Sequence, residues 1–138
     1  MSIVSDTNVA VSNVMLEKNN FPVINKFAIL KDAIEQMVFH KLGVVCVVDE
    51  QNKFVGLITD GDLRRMLLTV QKPLSALFME DVTDHLTSEP TTIYPEMLIS
   101  EATKLIGIKK IWDLPVTSSN NELIGLFHLH KALEFYIK

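Results

Sequence analysis

A single cysteine occurs in the 138 residues, which excludes any disulfide within the chain. Cys46 lies inside the apolar run Val44 to Val48, where a buried inert thiol is expected rather than a nucleophile. Clustered positive charge is missing too. The net charge is −4, and Arg64-Arg65 is the one adjacent arginine pair. Nucleic-acid binding needs a concentrated basic surface, so no nucleic-acid partner is expected. No apolar run reaches the ~18 residues of a membrane span, and no membrane partner is expected. The first fifteen residues carry no Lys or Arg, so a secretory leader is not expected either. A reducing cytoplasm fits these absences. The chain also lacks a nucleophile–base pair, a complete metal-ligand set, and the glycine patterns of Walker or Rossmann sites. Neither catalysis nor a required cofactor or metal is expected of it.

What is present is mostly apolar. Hydrophobic residues make up 48% of the chain, charged residues 22%, and the mean hydropathy is +0.24. That composition belongs to a globular protein with a deep core, or with an apolar face that a partner covers.

The chain repeats itself. Shifted by 69 positions, Ile24 falls on Ile93, Ala33 on Ala102, Lys41 on Lys110 and Val47 on Val116. Asn52 falls on Asn121, Gly56 on Gly125 and Leu57 on Leu126. No gap is needed from Ile24 to Leu63. The preceding stretches match at a shift of 71, with Val11–Met15 on Val82–Leu86.

Each repeat reads β-α-β-β-α. Phe21 to Ile24 and Thr91 to Ile93 are short extended runs. Ile29, Ala33, Ile34 and Met37 then share one helical face, as do Leu98, Ala102, Leu105 and Ile106. Asp32 and Glu101 sit in first turns, where the helix dipole favours acids. Strands follow at Val44–Asp49 and Phe54–Ile58, then at Asp113–Thr117 and Leu123–Phe127. Asn52 and Asn121 suit the turns between them. Amphipathic helices close the repeats at Leu63–Val70 and Leu129–Ile137. The expected division is 9–70 for repeat one, 71–80 for a connecting segment and 81–138 for repeat two. A lone unit of ~60 residues buries little core. The expected fold is therefore α/β (α+β), one module of two repeats about a pseudo-twofold axis, packed sheet to sheet.

Val55-Gly-Leu-Ile-Thr-Asp-Gly-Asp-Leu63, Leu114-Pro-Val116 and Ile124-Gly-Leu126 carry a family resemblance. The chain resembles a tandem pair of CBS domains, or Bateman module, over about residues 9 to 137. Thr59-Asp-Gly-Asp-Leu-Arg-Arg65 and Leu126-Phe-His-Leu-His130 are most similar to the C-terminal CBS pair of arabinose-5-phosphate isomerases of the sugar-phosphate isomerase family. The second of those segments ends in an Asp in that family, and Lys131 departs from it here. Some sugar-phosphate nucleotidyltransferases carry a similar Thr-Asp-Gly-Asp segment. In such isomerases a catalytic domain of roughly 180–200 residues precedes the pair. The resemblance thus implies a stand-alone regulator or the tail of a larger enzyme, not a chain that isomerises a sugar itself.

The resemblance also implies a ligand site. CBS modules that bind adenosine nucleotides use a pattern that maps here onto Gly56, Thr59 and Asp62, with the base against Ile24 and the backbone of Val45, Cys46 and Val47. The residue chemistry suits that role. Thr59, Asp60, Gly61 and Asp62 stand where a strand runs into a helix, whose free amides attract anions. Gly61 permits close approach. An ionised Asp62 accepts only, as both hydroxyls of a ribose require. Arg64 or Arg65 would offset the acids beside a phosphate. The competing role for Asp62 is a helix cap.

The second repeat has His128 for Thr59 and Lys131 for Asp62. A lysine cannot accept from a diol, so a phosphate or carboxylate facing His130 and Lys131, near Pro115, is the expected ligand of this weaker site. His128 and His130 have the spacing of a metal pair, but a third ligand is missing locally, with His85 the one candidate. Trp112, at Gly43's position, is expected to be a partly buried packing residue. The leading expectation is a sensor of a nucleotide or nucleotide-sugar effector, homodimeric through the helices after Asp60 and Leu129, controlling a sugar-phosphate isomerase or related enzyme. The alternative is a structural dimerisation module with an empty cleft.

Overall fold

The computed structural model describes residues 9–87 and 89–137. Two compact units divide the chain. The first is residues 19–90. The second joins the described residues up to Lys18 to those from Thr91 onward.

In the first unit, strands β2 (Val23–Asn25), β3 (Val44–Val48) and β4 (Phe54–Thr59) form a sheet in that order. β2 runs parallel to β3, and β4 antiparallel. Helix α1 (Leu30–His40) crosses between β2 and β3, and α2 (Asp60–Thr69) and α3 (Leu74–Phe78) follow β4. In the second unit, β1 (Leu16–Glu17), β6 (Leu123–His128) and β5 (Asp113–Thr117) form an antiparallel sheet, joined by α4 (Ile99–Lys109) and α5 (Leu129–Tyr136). Among the described residues no helix is long and apolar enough to cross a membrane.

The cores obey the 69-residue shift. Leu30, Ala33, Met37, Val45, Val47 and Ile58 pack in one unit. Ile99, Ala102, Ile106, Leu114, Val116 and Phe127 take the matching places in the other. The backbone repeats as closely. Asn52 and Asn121 hold their turns with φ of 64° and 63°, in the left-handed region that asparagine tolerates. Lys41 and Lys110 end α1 and α4 with φ of 56° each. Ladder irregularities fall at Val47/Val48 and Val116/Thr117.

The stretches related by the shift of 71 are exchanged between the sequence repeats, each packing within one unit. Val11 is buried with Ile93 and Ile99 of the second repeat, and Val82 with Leu30 and Ala33 of the first. Each lies beside a strand glycine. A side chain on Gly56 would meet Leu86 at 3.2 Å, and one on Gly125 would lie on the Met15 sulfur and 3.0 Å from the Leu16 carbonyl oxygen. The missing Cβ lets the exchanged segment lie on the strand.

Thr91–Ile93 corrects the expected symmetry. β2 forms a strand because two bonds extend the ladder on either side of the Ile24–Val47 pair: the Cys46 amide donates to the Pro22 carbonyl at 3.0 Å, and the Lys26 amide to the Val48 carbonyl at 2.8 Å. Pro115 holds the place of Cys46 and Pro95 that of Lys26, and neither has an amide hydrogen. The extended run is reduced to one bridge, Ile93 with Val116.

Candidate ligand site

Thr59 ends β4 and caps α2, so strand and helix meet with their polar groups turned on one another. The Asp62 amide donates to Thr59 Oγ1 at 3.2 Å, and the Thr59 amide donates to Asp62 Oδ2 at 2.8 Å. This reciprocal box satisfies two amides that the first turn would leave open. The Asp60 amide donates to the Gly43 carbonyl at 2.9 Å, which fixes the turn from the other side. A Cβ on Gly43 would sit 2.9 Å from the Asp60 carboxyl, so glycine leaves room for it.

Asp62 is only 15% exposed and has further partners. The Thr87 hydroxyl donates to Oδ2 at 2.9 Å, and Arg65 Nη2 donates to Oδ1. Asp62 thus caps the helix and also stands as a fixed carboxylate among three donors. Arg65, not Arg64, is the arginine that reaches it. Arg64 pairs with the exposed Asp60 at 3.5 Å. Gly61 leaves space beside Thr59 Oγ1 and both guanidinium groups, each 3.5 to 3.7 Å from where its Cβ would be. Ile24 lies against the core, while Val45 and Cys46 have fully buried side chains in β3. The Cys46 amide is engaged by Pro22.

The second unit keeps the backbone and changes the chemistry. The Leu129 amide donates to the Trp112 carbonyl at 2.8 Å, as Asp60 does to Gly43. His128 makes no side-chain cap. Its Nδ1 lies 2.6 Å from Asp113 Oδ1, across the β5–β6 pair. Val44 stands opposite Thr59 instead. His130 and Lys131 each approach Glu134 at 3.3 Å. The His128 and His130 rings are stacked with centroids 6.4 Å apart, and Pro115 is buried in β5. His85 is bound to Glu80 at 2.7 Å in the first unit. Among the described residues no three His, Cys, Asp or Glu side chains converge as a metal site. Trp112 is 67% exposed, not the half-buried packing residue expected at that place.

Three of these partners escape a reading of the motif alone. Arg65 was detectable from its i, i+3 spacing to Asp62. Asp113 was detectable from the register that sets it across from His128. Thr87 has no local signal; its segment lies along β4, with its amide on the Leu57 carbonyl, and this brings it to Asp62.

A family model described as CBS domain matches residues 11–69 and again 80–138. An uncharacterised protein of Helicobacter pylori is 33% identical over 125 residues, covering 90% of this chain and 36% of that protein. The arabinose 5-phosphate isomerase KdsD of Salmonella typhi is 31% identical over 123 residues, covering 89% of this chain and 36% of that enzyme. The chain therefore spans about a third of the length of these curated relatives. The crystal structure of CBSX2 in complex with AMP is similar in fold, with 26% identity, a TM-score of 0.79, and 91% and 93% of the two chains covered. CBSX2 from Arabidopsis thaliana gives 24% identity and a TM-score of 0.79 over 93% and 94% of the chains. With both repeats matched over most of its length, the chain belongs to the CBS domain family and is built as a CBS pair.

Proposed function

We propose that this CBS pair senses a nucleotide or nucleotide-sugar through Thr59 and Asp62, and acts by binding rather than by catalysis. The observation that carries the reading is Asp62, a mostly buried carboxylate held in one orientation at the mouth of α2. Pre-organised acceptors reduce the cost of fixing a diol. The likeness to CBSX2, whose structure is a complex with AMP, supports an adenosine nucleotide as first candidate. Ile24 and the β3 backbone at Val45 and Cys46 flank the base, and Gly61, Asp60 and Arg64 line the phosphate end.

The likeness to KdsD supports control of a sugar-phosphate isomerase, carried on a longer chain or met as a partner in the cytoplasm. Leu67 and Leu68 on α2, with Leu133 on α5 and Ile137 just after it, are exposed and apolar. They are the surfaces proposed to pair two copies. In the second repeat His130 and Lys131 would meet an acidic group of a ligand, beside His128 and Pro115.

A second reading rests on the reciprocal box itself. Thr59 and Asp62 satisfy one another without a ligand, as a purely structural, dimerising pair would require. A thermal-shift screen of nucleotides and nucleotide-sugars separates the two. A ligand at 100 times its Kd stabilises by about 2.7 kcal/mol, so the sensor reading expects a rise of several degrees for one class. A flat screen at millimolar ligand supports the structural reading.

A further inference from the structure

Two donors share one oxygen of Asp62. Oδ2 accepts from the Thr59 amide at 2.8 Å and from the Thr87 hydroxyl at 2.9 Å, while Oδ1 accepts from Arg65. Each carboxylate oxygen offers about two lone-pair directions. Oδ2 is therefore filled, and Oδ1 keeps one direction open. A vicinal diol gripped by both oxygens needs one direction on each. The Thr59 amide cannot leave without undoing the first turn of α2. The Thr87 hydroxyl can, because rotation about its side chain leaves the backbone in place.

The segment bearing Thr87 has anchors of its own. Its amide donates to the Leu57 carbonyl at 2.9 Å, Leu86 lies on Gly56, and Val82 is buried with its amide donating to the Ala28 carbonyl at 3.0 Å. The second unit is an internal control. There Leu16 stands for Thr87 and pairs with Leu126, while Lys131 stands for Asp62. The backbone seat persists with neither hydroxyl nor carboxylate. The Thr87–Asp62 bond is thus an addition to the seat, present in the repeat that carries the Thr59–Asp62 motif.

On the reading that Asp62 grips a ligand diol, we propose that Thr87 is a latch on that site. Ligand hydroxyls and the Thr87 hydroxyl compete for Oδ2, so occupancy loosens the end of the segment just before the chain passes from one unit to the other at Pro90. The site then reports its ligand through the segment that follows it.

Calorimetric titration with AMP tests this in the full chain and in its Thr87→Val, Thr87→Ser and Asp62→Asn variants. Removing the competing hydroxyl is expected to tighten AMP binding about three- to tenfold in Thr87→Val, while Thr87→Ser stays near the parent. AMP is also expected to speed hydrogen exchange of the Thr87 amide in the parent. Equal or weaker binding by Thr87→Val, with Asp62→Asn still impaired, overturns the latch alone. No AMP binding by the parent, or parent-like binding by Asp62→Asn, overturns the ligand reading and the latch with it.

Discussion

Lys131 and Glu134 form an ion pair 3.3 Å apart in the first turns of α5, at the positions where α2 pairs Asp62 with Arg65. The two repeats hold one i, i+3 contact with its charges reversed. A cation near a helix N-terminus opposes the helix dipole, and Glu134 offsets it. Asp62 is fixed by the Thr59 amide and the Thr87 hydroxyl, both partly buried, whereas Lys131 and Glu134 face water. Exposed pairs at this spacing contribute little. Lys131→Ala is expected to change the unfolding free energy by less than about 0.5 kcal/mol in urea, and to leave AMP affinity within about twofold. A ligand bearing a carboxylate would feel the loss more. A stability change well above 1 kcal/mol would show that Lys131 supports the fold.

Lys41 and Lys110 adopt the left-handed conformation at the ends of α1 and α4. Residues with a Cβ are strained there by roughly 1–2 kcal/mol, and glycine is the usual occupant of such a stop. Lys110→Gly is expected to stabilise the protein by about 0.5–1 kcal/mol, after the added freedom of the unfolded chain is set against the relieved strain. Denaturant titration of the variant measures it. A loss of stability would mean that the lysine side chain has a role the backbone strain does not outweigh.

Glu80 receives Lys72 Nζ on one carboxylate oxygen and lies 2.7 Å from His85 on the other. The Lys72 hydrogen bond first, and the His85 hydrogen bond second, hold its carboxyl below the usual carboxylate range. A depressed folded-state value stabilises the protein above the unfolded value and is lost as the pH falls through the folded one. The contribution therefore stands near neutrality and fades below about pH 4.5. Glu80→Gln is expected to flatten the acid side of the stability–pH curve, and Lys72→Ala to flatten it in part. Curves parallel to the parent's between pH 6 and 3, the range in which carboxylates titrate, would contradict this.

Much of the fold is legible in the residues because its causes are local. The apolar spacing of Ala33 and Met37, and of Ala102 and Ile106, marks the buried faces of α1 and α4. Asn52 and Asn121 mark turns whose φ they tolerate. The exchange of Val11 and Val82 between the repeats is different. Strand β1 is two residues long and pairs with a strand more than a hundred positions away, so no local period announces it. Even the loss of a strand at Thr91–Ile93 follows from two atoms, the amide hydrogens that Pro95 and Pro115 lack. In the site, the motif identifies Asp62 and Thr59, but Thr87 comes from a segment 25 residues on and becomes visible only when β4 and that segment lie side by side.

Titration of the parent and of Asp62→Asn with AMP, by calorimetry at one pH and salt, tests the sensor reading most directly. The Asn side-chain oxygen can still accept from the Thr59 amide as Asp62 does, so the variant is expected to stay folded. It replaces a charged acceptor by a neutral one. Hydrogen bonds to charged groups contribute about 1.5–3 kcal/mol, which predicts binding weakened by about ten- to a hundredfold. Equal affinity in a folded Asp62→Asn protein would contradict the account and leave Asp62 a helix cap alone.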